Sequence, residues 1–218
     1  LPKKLQFIGR IVLFPYFCLA KRAMKEATGL SAMADDFLKW ALDFSNRERT
    51  NNDLTVPLTT ENCQFSDDER KSALQWWEKQ GIVNNGKMKV IFVGSHYPSL
   101  DFSPILEAAA LFLNKGIECD FIICGHGELT KSLIDKAKNC KNVFFPGWVD
   151  RPKVEELSKM SIATIAPFRN IDCFVKSLPN KVVDSLSLGL PIISPLKGEV
   201  RRLIEANKVG LIYDEGSG

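Results

Sequence analysis

The stretch VKSLPNKVVDSLSLGLPIIS, residues 175–194, holds the most chemically suggestive spacing in the chain. Lys176 and Lys181 flank the segment Ser177, Leu178, Pro179 and Asn180, which opens a helix. The first turn of a helix already favours an anion through its free amides and its dipole. A diphosphate is the anion that two lysines at such a mouth would hold. Asp184 follows Lys181 by three residues, on the same helix face, where a carboxylate accepts hydrogen bonds from sugar hydroxyls. A helix start with solvated lysines and a supporting aspartate has the same pattern, so the motif taken alone leaves both readings open.

Two further loops carry candidates. GSHYP brings Gly94, Ser95 and His96 to the end of an apolar run, with no carboxylate partner evident for the imidazole. GHGELT, which contains Gly125, follows a strand and opens a helix, but lacks the third glycine of a dinucleotide fingerprint and its ribose-binding acid. His126 reads as the polar filler of a tight turn. GIVNNGKM at 81–88 has the glycines and lysine of a phosphate loop, yet Met88 follows the lysine and a strand comes next, so it reads as a turn. The six cysteines form no C-x-x-C pair, which argues for free thiols in a reducing, cytoplasmic compartment and against a zinc site. The Trp76, Trp77 pair reads as core and rim.

From Lys87 onward short, wholly apolar runs alternate with amphipathic stretches: MKVIFVG, PILEAAALFL, CDFIICG, LTKSLIDKAK, NVFFPG, PKVEELSKM, SIATIAPF, a helix from Asn180, PIISP, GEVRRLIEA and VGLIY. Runs without alternation belong to strands covered on both faces, which predicts a doubly wound parallel sheet of about six strands. Ligand loops are then expected at the carboxyl ends of the strands, near the point where strand order reverses. Ser103 before Pro104 predicts an N-cap, Gly116 a helix end, and Asp150 the cap of the next helix. Before Lys87, TGLSAMA predicts a strand leading into a helix at DDFLKWALDF capped by Asp35. SNRERTNND reads as a loop, TVPLTT as a short strand or linker, and SDDERKSALQWWEKQ as a helix with acids in its first turn.

A chain of 218 residues with 45% hydrophobic and 25% charged content is ordinary globular material. Its net charge of +3 falls short of the basic footprint of a nucleic-acid binder, so none is expected as a partner. IVLFPYFCLA at 11–20 is too short to span a bilayer and contains Pro15. Lys3, Lys4, Arg10, Lys21, Arg22 and Lys25 surround it, which fits a basic amphipathic segment on a membrane surface or a half-buried helix with a solvated face. The opening on Leu1 and the stop at Gly218 just after a strand read as a fragment of something longer.

From about Val56 to Gly218 the ordered pieces VIFVGS, ICGHGEL, NVFFPGWVD, IATIAPF and KVVDSLSLGLPIIS resemble the carboxyl-terminal half of retaining glycosyltransferases of family 4, which have the GT-B fold. Residues 1–56 loosely resemble the end of that family's acceptor-side domain and its linker, leaving 57–218 as a Rossmann-like nucleotide-sugar domain. The resemblance implies transfer of a sugar from a nucleotide-diphosphate donor with retained configuration, as in polysaccharide biosynthesis, with no metal or other cofactor. The acceptor, a glycan or a lipid-linked molecule, would belong to the other half, so this chain would bind without turning over. By position, Asp184 falls where a glutamate holds the ribose, Trp148 and Val149 where the nucleobase pocket forms, and Ser177 to Asn180 on the loop that meets the distal phosphate and sugar. The family's first signature glutamate falls on Lys176, and its two diphosphate-gripping cations fall on Ser95 and Leu100. Lys181, helped by Lys176, is expected to supply the missing charge and so assist departure of the diphosphate. Asp101 in the first loop and an S-L-P-N-K helix start resemble one branch of the family. The rival classes are a dinucleotide-dependent oxidoreductase and a non-catalytic nucleotide-binding module.

Overall fold

In the computed structural model, which describes residues 3–60 and 63–214, the chain divides into two compact units, Leu1–Leu58 and Thr59–Gly218. The first unit opens with helix α1 (Lys3–Glu26), which continues through Pro15 although proline leaves the Ile11 carbonyl without its helical partner. Residues 11–23 of α1 are exposed, Phe14 at 65% and Tyr16 at 71%. No helix among the described residues is long and apolar enough to cross a membrane.

Strand β1 (Ser31–Ala32) leads into α2 (Asp35–Ser45), and β2 (Leu54–Thr55) pairs with β1 in parallel. Asp35 is not the cap of α2. The helix is preceded by Ala34, and Asp35 sits inside the first turn accepting the Thr55 hydroxyl. The unit is tied by a buried ion pair, Arg47 Nη2 to Asp53 Oδ1 at 2.7 Å. Arg47 also donates to the carbonyls of Met24 and Ala27, while Asp53 accepts from the amides of Thr50 and Leu30. The Thr50 amide, against some loss of hydration, and then the Leu30 amide, the Thr50 hydroxyl and Arg47 hold the Asp53 carboxyl down at about 2.

The second unit begins with α3 (Asp67–Lys79), closed at its start by a Ser66–Glu69 capping box. Then follow β3 (Met88–Val93), α4 (Ser103–Asn114), β4 (Cys119–Cys124), α5 (Thr130–Lys136), β5 (Val143–Gly147), α6 (Arg151–Lys159), β6 (Ala163–Ile165), α7 (Asp172–Val175), α8 (Asn180–Ser187), β7 (Ile192–Ser194), α9 (Glu199–Asn207) and β8 (Gly210–Ile212). The six strands β3 to β8 form one parallel sheet in the order β5-β4-β3-β6-β7-β8, with Val90 level with Phe121 and Ala163. Side chains alternate across it. Val90, Phe92, Phe121 and Ile123 join a core with Ile105, Ala109, Leu133 and Ile204, whereas Ile91 and Ile122 join another with Trp77, Val154 and Leu157. Helices therefore cover both faces, as the unbroken apolar runs predict.

Trp77 is buried, donates Nε1–H to the Lys153 carbonyl at 2.8 Å and meets Trp76 edge-on, so the pair joins α3 to α6 as core and rim. Asp150 caps α6 by accepting from Lys153 N, and Gly116 ends α4 at φ 66°. Ser103 is not a cap. The backbone of Phe102 is already helical, so the turn starts one residue early and Asp101 Oδ1 accepts the Ser103 amide at 3.0 Å. The short helix α7 lies in a segment that reads as loop in the sequence, because four residues are too few to show a period.

Since the Asp53 carboxyl is held below its ordinary 3.8, its stabilisation is complete above that value and is lost as pH falls through about 2. Asp53→Asn is expected to lower the melting temperature of the chain at neutral pH by several degrees. It should also flatten the decline of stability between those two pH values, as followed by circular dichroism.

Candidate functional site

The chain builds β3, β4 and β5 outward in one direction and then returns to lay β6 on the other side of β3. Loops after β3 and β6 therefore diverge and open a cleft at the carboxyl ends of the strands. Three glycines stand at those ends. Gly94 (φ 144°) donates its amide to Cys124 O at 3.0 Å, and Gly125 (φ 115°) donates to Gly147 O at 2.7 Å. A Cβ at Gly125 would lie 2.0 Å from the Gly94 carbonyl oxygen, closer than atoms can approach.

Lys181 enters this corner from the first turn of α8. Its Nζ donates to Val93 O at 3.0 Å and lies 4.9 Å from the centre of the Phe92 ring. A Cβ on Gly94 would fall 1.5 Å from Nζ, so the ammonium fills the space that the glycine leaves. Burial pushes its pKa below the ordinary lysine range, and the charge of Asp184 opposes that shift. Pro179 precedes α8 without a capping side chain. Among the described residues the amides of Leu178, Asn180 and Lys181 donate no hydrogen bond.

Lys181 and Asp184 line one cleft of about 210 Å³ together with Val93 of β3, Thr164 of β6, and Val149 and Arg151 at the start of α6. Arg151 Nη1 stands 3.7 Å from Asp184 Oδ1, and both side chains are partly exposed. Thus Lys181, Asp184 and Val149, singled out from the sequence, face a common space at the switch point. Trp148, 69% exposed, precedes Val149 on the outer surface, and Ser95 is exposed beside Gly94.

Other predicted site residues do not converge there. Lys176 ends α7 and pairs with Asp172 at 3.4 Å, outside the lining of the cleft. Ser177 is buried, and both its amide and its hydroxyl donate to the Phe174 carbonyl, so its amide is engaged within the loop and not offered to a ligand. Leu178 packs its side chain against the core, and Asn180 is exposed. His96 is fully buried. Its Nδ1 lies 2.9 Å from Thr130 Oγ1, its ring contacts Phe92 and Phe102, and burial lowers its pKa. His96 N donates to His126 O and Leu129 N to His96 O, so the residue ties the loop after β3 to the loop after β4 instead of facing a ligand. Leu100, where the resemblance expects a cation, is buried in the core, and its loop pairs with the loop after β6 through Asp101 N to Pro167 O. Sequence reasoning missed Arg151. The available signal was a cation at a helix start, where the dipole disfavours it unless an anion stands nearby.

A six-stranded parallel sheet in this order, covered on both faces and open at its switch point, defines a Rossmann-type doubly wound domain. Residues 75–217 match the family of glycosyl transferases group 1, and the chain belongs to it. No curated protein sequence matches the chain. Among solved structures it is similar to WaaG, a glycosyltransferase involved in lipopolysaccharide biosynthesis, at TM-score 0.64 and 16% identity over 87% of this chain and 50% of that one. It is similar as well to the sucrose-phosphate synthase of Thermosynechococcus elongatus, at TM-score 0.64 and 11% identity over 92% and 49%. The Anabaena protein HepE in complex with UDP-glucose gives TM-score 0.60 and 15% identity over 92% and 54%. The chain spans about half the length of these structures, and its fold is that of a GT-B carboxyl-terminal domain.

The close approach of Gly125 to Gly94 sets a measurable cost. Gly125→Ala combines an unfavourable φ with a clash against backbone and is expected to destabilise the chain by about 2–3 kcal/mol. Gly189→Ala, at φ 71° with open space around it, should cost about 1 kcal/mol. Chemical denaturation of both variants measures the difference.

Proposed function

We infer that this chain is the donor-binding half of a retaining glycosyltransferase of family 4, which moves a sugar from a nucleotide diphosphate to a glycan or lipid-linked acceptor held by the rest of the protein. The observation that carries this reading is the meeting of Lys181, Asp184 and Val149 around one cleft at the switch point. Lys181 and the unengaged amides of Asn180 and Lys181 take the diphosphate, Asp184 the ribose hydroxyls, and Val149 one face of the base. Binding of UDP-glucose by HepE, whose fold this chain shares, supports a nucleotide sugar as the donor class.

In transfer, the bond between the anomeric carbon and the phosphate oxygen breaks, a new bond forms to the acceptor oxygen, and the acceptor's proton passes to an oxygen of the departing diphosphate. Negative charge grows on the departing diphosphate, and a cation already in place stabilises it without reorganisation. Lys181 contributes that charge from the helix, where the resemblance expected it from the first strand's loop. The reading needs no metal. The free cysteines fit a cytoplasmic setting. The exposed apolar run of α1, with Lys21, Arg22 and Lys25 exposed after it, supports contact with an anionic membrane surface where a lipid-linked acceptor resides.

Two measurements test the reading. Lys181→Ala should weaken binding of nucleoside diphosphates roughly tenfold or more, the worth of a charge-assisted contact, and leave nucleoside binding nearly unchanged. Equal loss for both in calorimetric titration rejects the assignment of the ammonium to phosphate. Phe14→Glu should abolish most co-sedimentation of the chain with phosphatidylglycerol vesicles; unchanged pelleting rejects the membrane contact.

A further inference from the structure

Resting on the donor site just described, we propose that Arg151 reads the nucleobase and favours donors whose base presents a carbonyl oxygen on its edge, uracil or guanine, over adenine. Positions 181, 184 and 188 follow one face of α8, and all three line the cleft. At a rise of about 1.5 Å per residue the order along it is ammonium, then carboxylate about 4.5 Å further, then the Leu188 side chain. Phosphate at Lys181 and ribose at Asp184 leave the base at the third step. There the walls are Val149, Val154, Leu188 and Leu190, apolar surfaces that suit the faces of a planar ring.

Arg151 is the cation at that end. Its guanidinium is anchored by Asp184 at 3.7 Å through Nη1 and by Thr60 Oγ1 at 3.4 Å through Nη2, which holds its plane beside the slot. Five N–H groups and no acceptor make a guanidinium complementary to carbonyl-type edges and unable to receive a donor. Uracil presents carbonyl oxygens, and guanine presents O6 and N7. Adenine offers ring nitrogens with one lone pair each, N1 and N7 flanked by the amino group, so a fork of two N–H donors finds one acceptor there where a carbonyl oxygen has two lone pairs. Asp184 then has two roles in one geometry: it accepts from the ribose and it orients the arginine.

The test is calorimetric titration of the whole chain with UDP, GDP and ADP, for the unaltered protein, Arg151→Met and Arg151→Lys. Expected is binding of UDP or GDP roughly tenfold or more tighter than ADP, as for a site that discriminates by edge hydrogen bonds. Arg151→Met should bring UDP, GDP and ADP to nearly equal affinity. Arg151→Lys, which keeps charge and stem but loses the fork, should retain only part of the preference, and it serves as the deciding variant if Arg151→Met does not fold by circular dichroism. Equal affinity of the unaltered chain for all three diphosphates overturns the proposal and leaves the donor site standing. A preference that survives in both variants overturns it as well. Failure of all three diphosphates to bind overturns the donor reading itself, and this inference with it.

Discussion

The site depends on one vacancy of a methyl group. Gly94 closes β3 at φ 144°, a conformation that side chains rarely adopt, and the space where its Cβ would stand is taken by the ammonium of Lys181. Moving a cation out of water is unfavourable unless polar partners replace the lost hydration. Here they are the Val93 carbonyl at 3.0 Å, the face of Phe92 and the charge of Asp184 one turn away. The helix that carries the lysine is thereby pinned to the central strand of the sheet, and the cation stands at the switch point. The stacked approach of Gly125 on Gly94, and of Gly147 beside it, keeps the neighbouring loops low enough for this corner to stay open.

Much of the fold was legible because it follows from local chemistry. The unbroken apolar runs of β3 and β4 require cover on both faces, and the Asp150 and Gly116 signals act within a single turn. The misreadings are of another kind. Ser103 and Asp35 are good caps in isolation, but Asp101 and the short pairing of β1 with β2 shift each helix start by one residue. His96 carries a reactive type of side chain on a ligand-side loop, which is all that sequence conveys. Its burial follows from the folding of the β4 loop over it through Leu129 and Thr130, a contact across more than thirty residues. Arg151 gives a local sign as a cation at a helix start, but the anion that explains it is Asp184, thirty-three positions away.

Where a cation comes from in the sequence matters less than where its charge ends. Ser95 and Leu100 stand on the β3 loop where the family resemblance expects cations, and Leu100 could not be replaced by one without opening the core, because it packs with Phe102 and Phe168. Lys181 brings its charge to the same strand end from a different element. The substitution of position is chemically conservative because Coulomb energy depends on distance and dielectric alone.

Placing the lysine on α8 adds a consequence that a loop residue would not have. Its ammonium and the amino end of its own helix carry charge of the same sign, and neither the Leu178 amide nor those of Asn180 and Lys181 have a partner among the described residues. The two positive ends tolerate each other through the Val93 carbonyl, the Phe92 ring face and the charge of Asp184. In the proposed reading an arriving diphosphate relieves that repulsion and satisfies the free amides in the same step. Binding and the later stabilisation of the leaving group then draw on one arrangement of charge, set by the fold before any donor arrives.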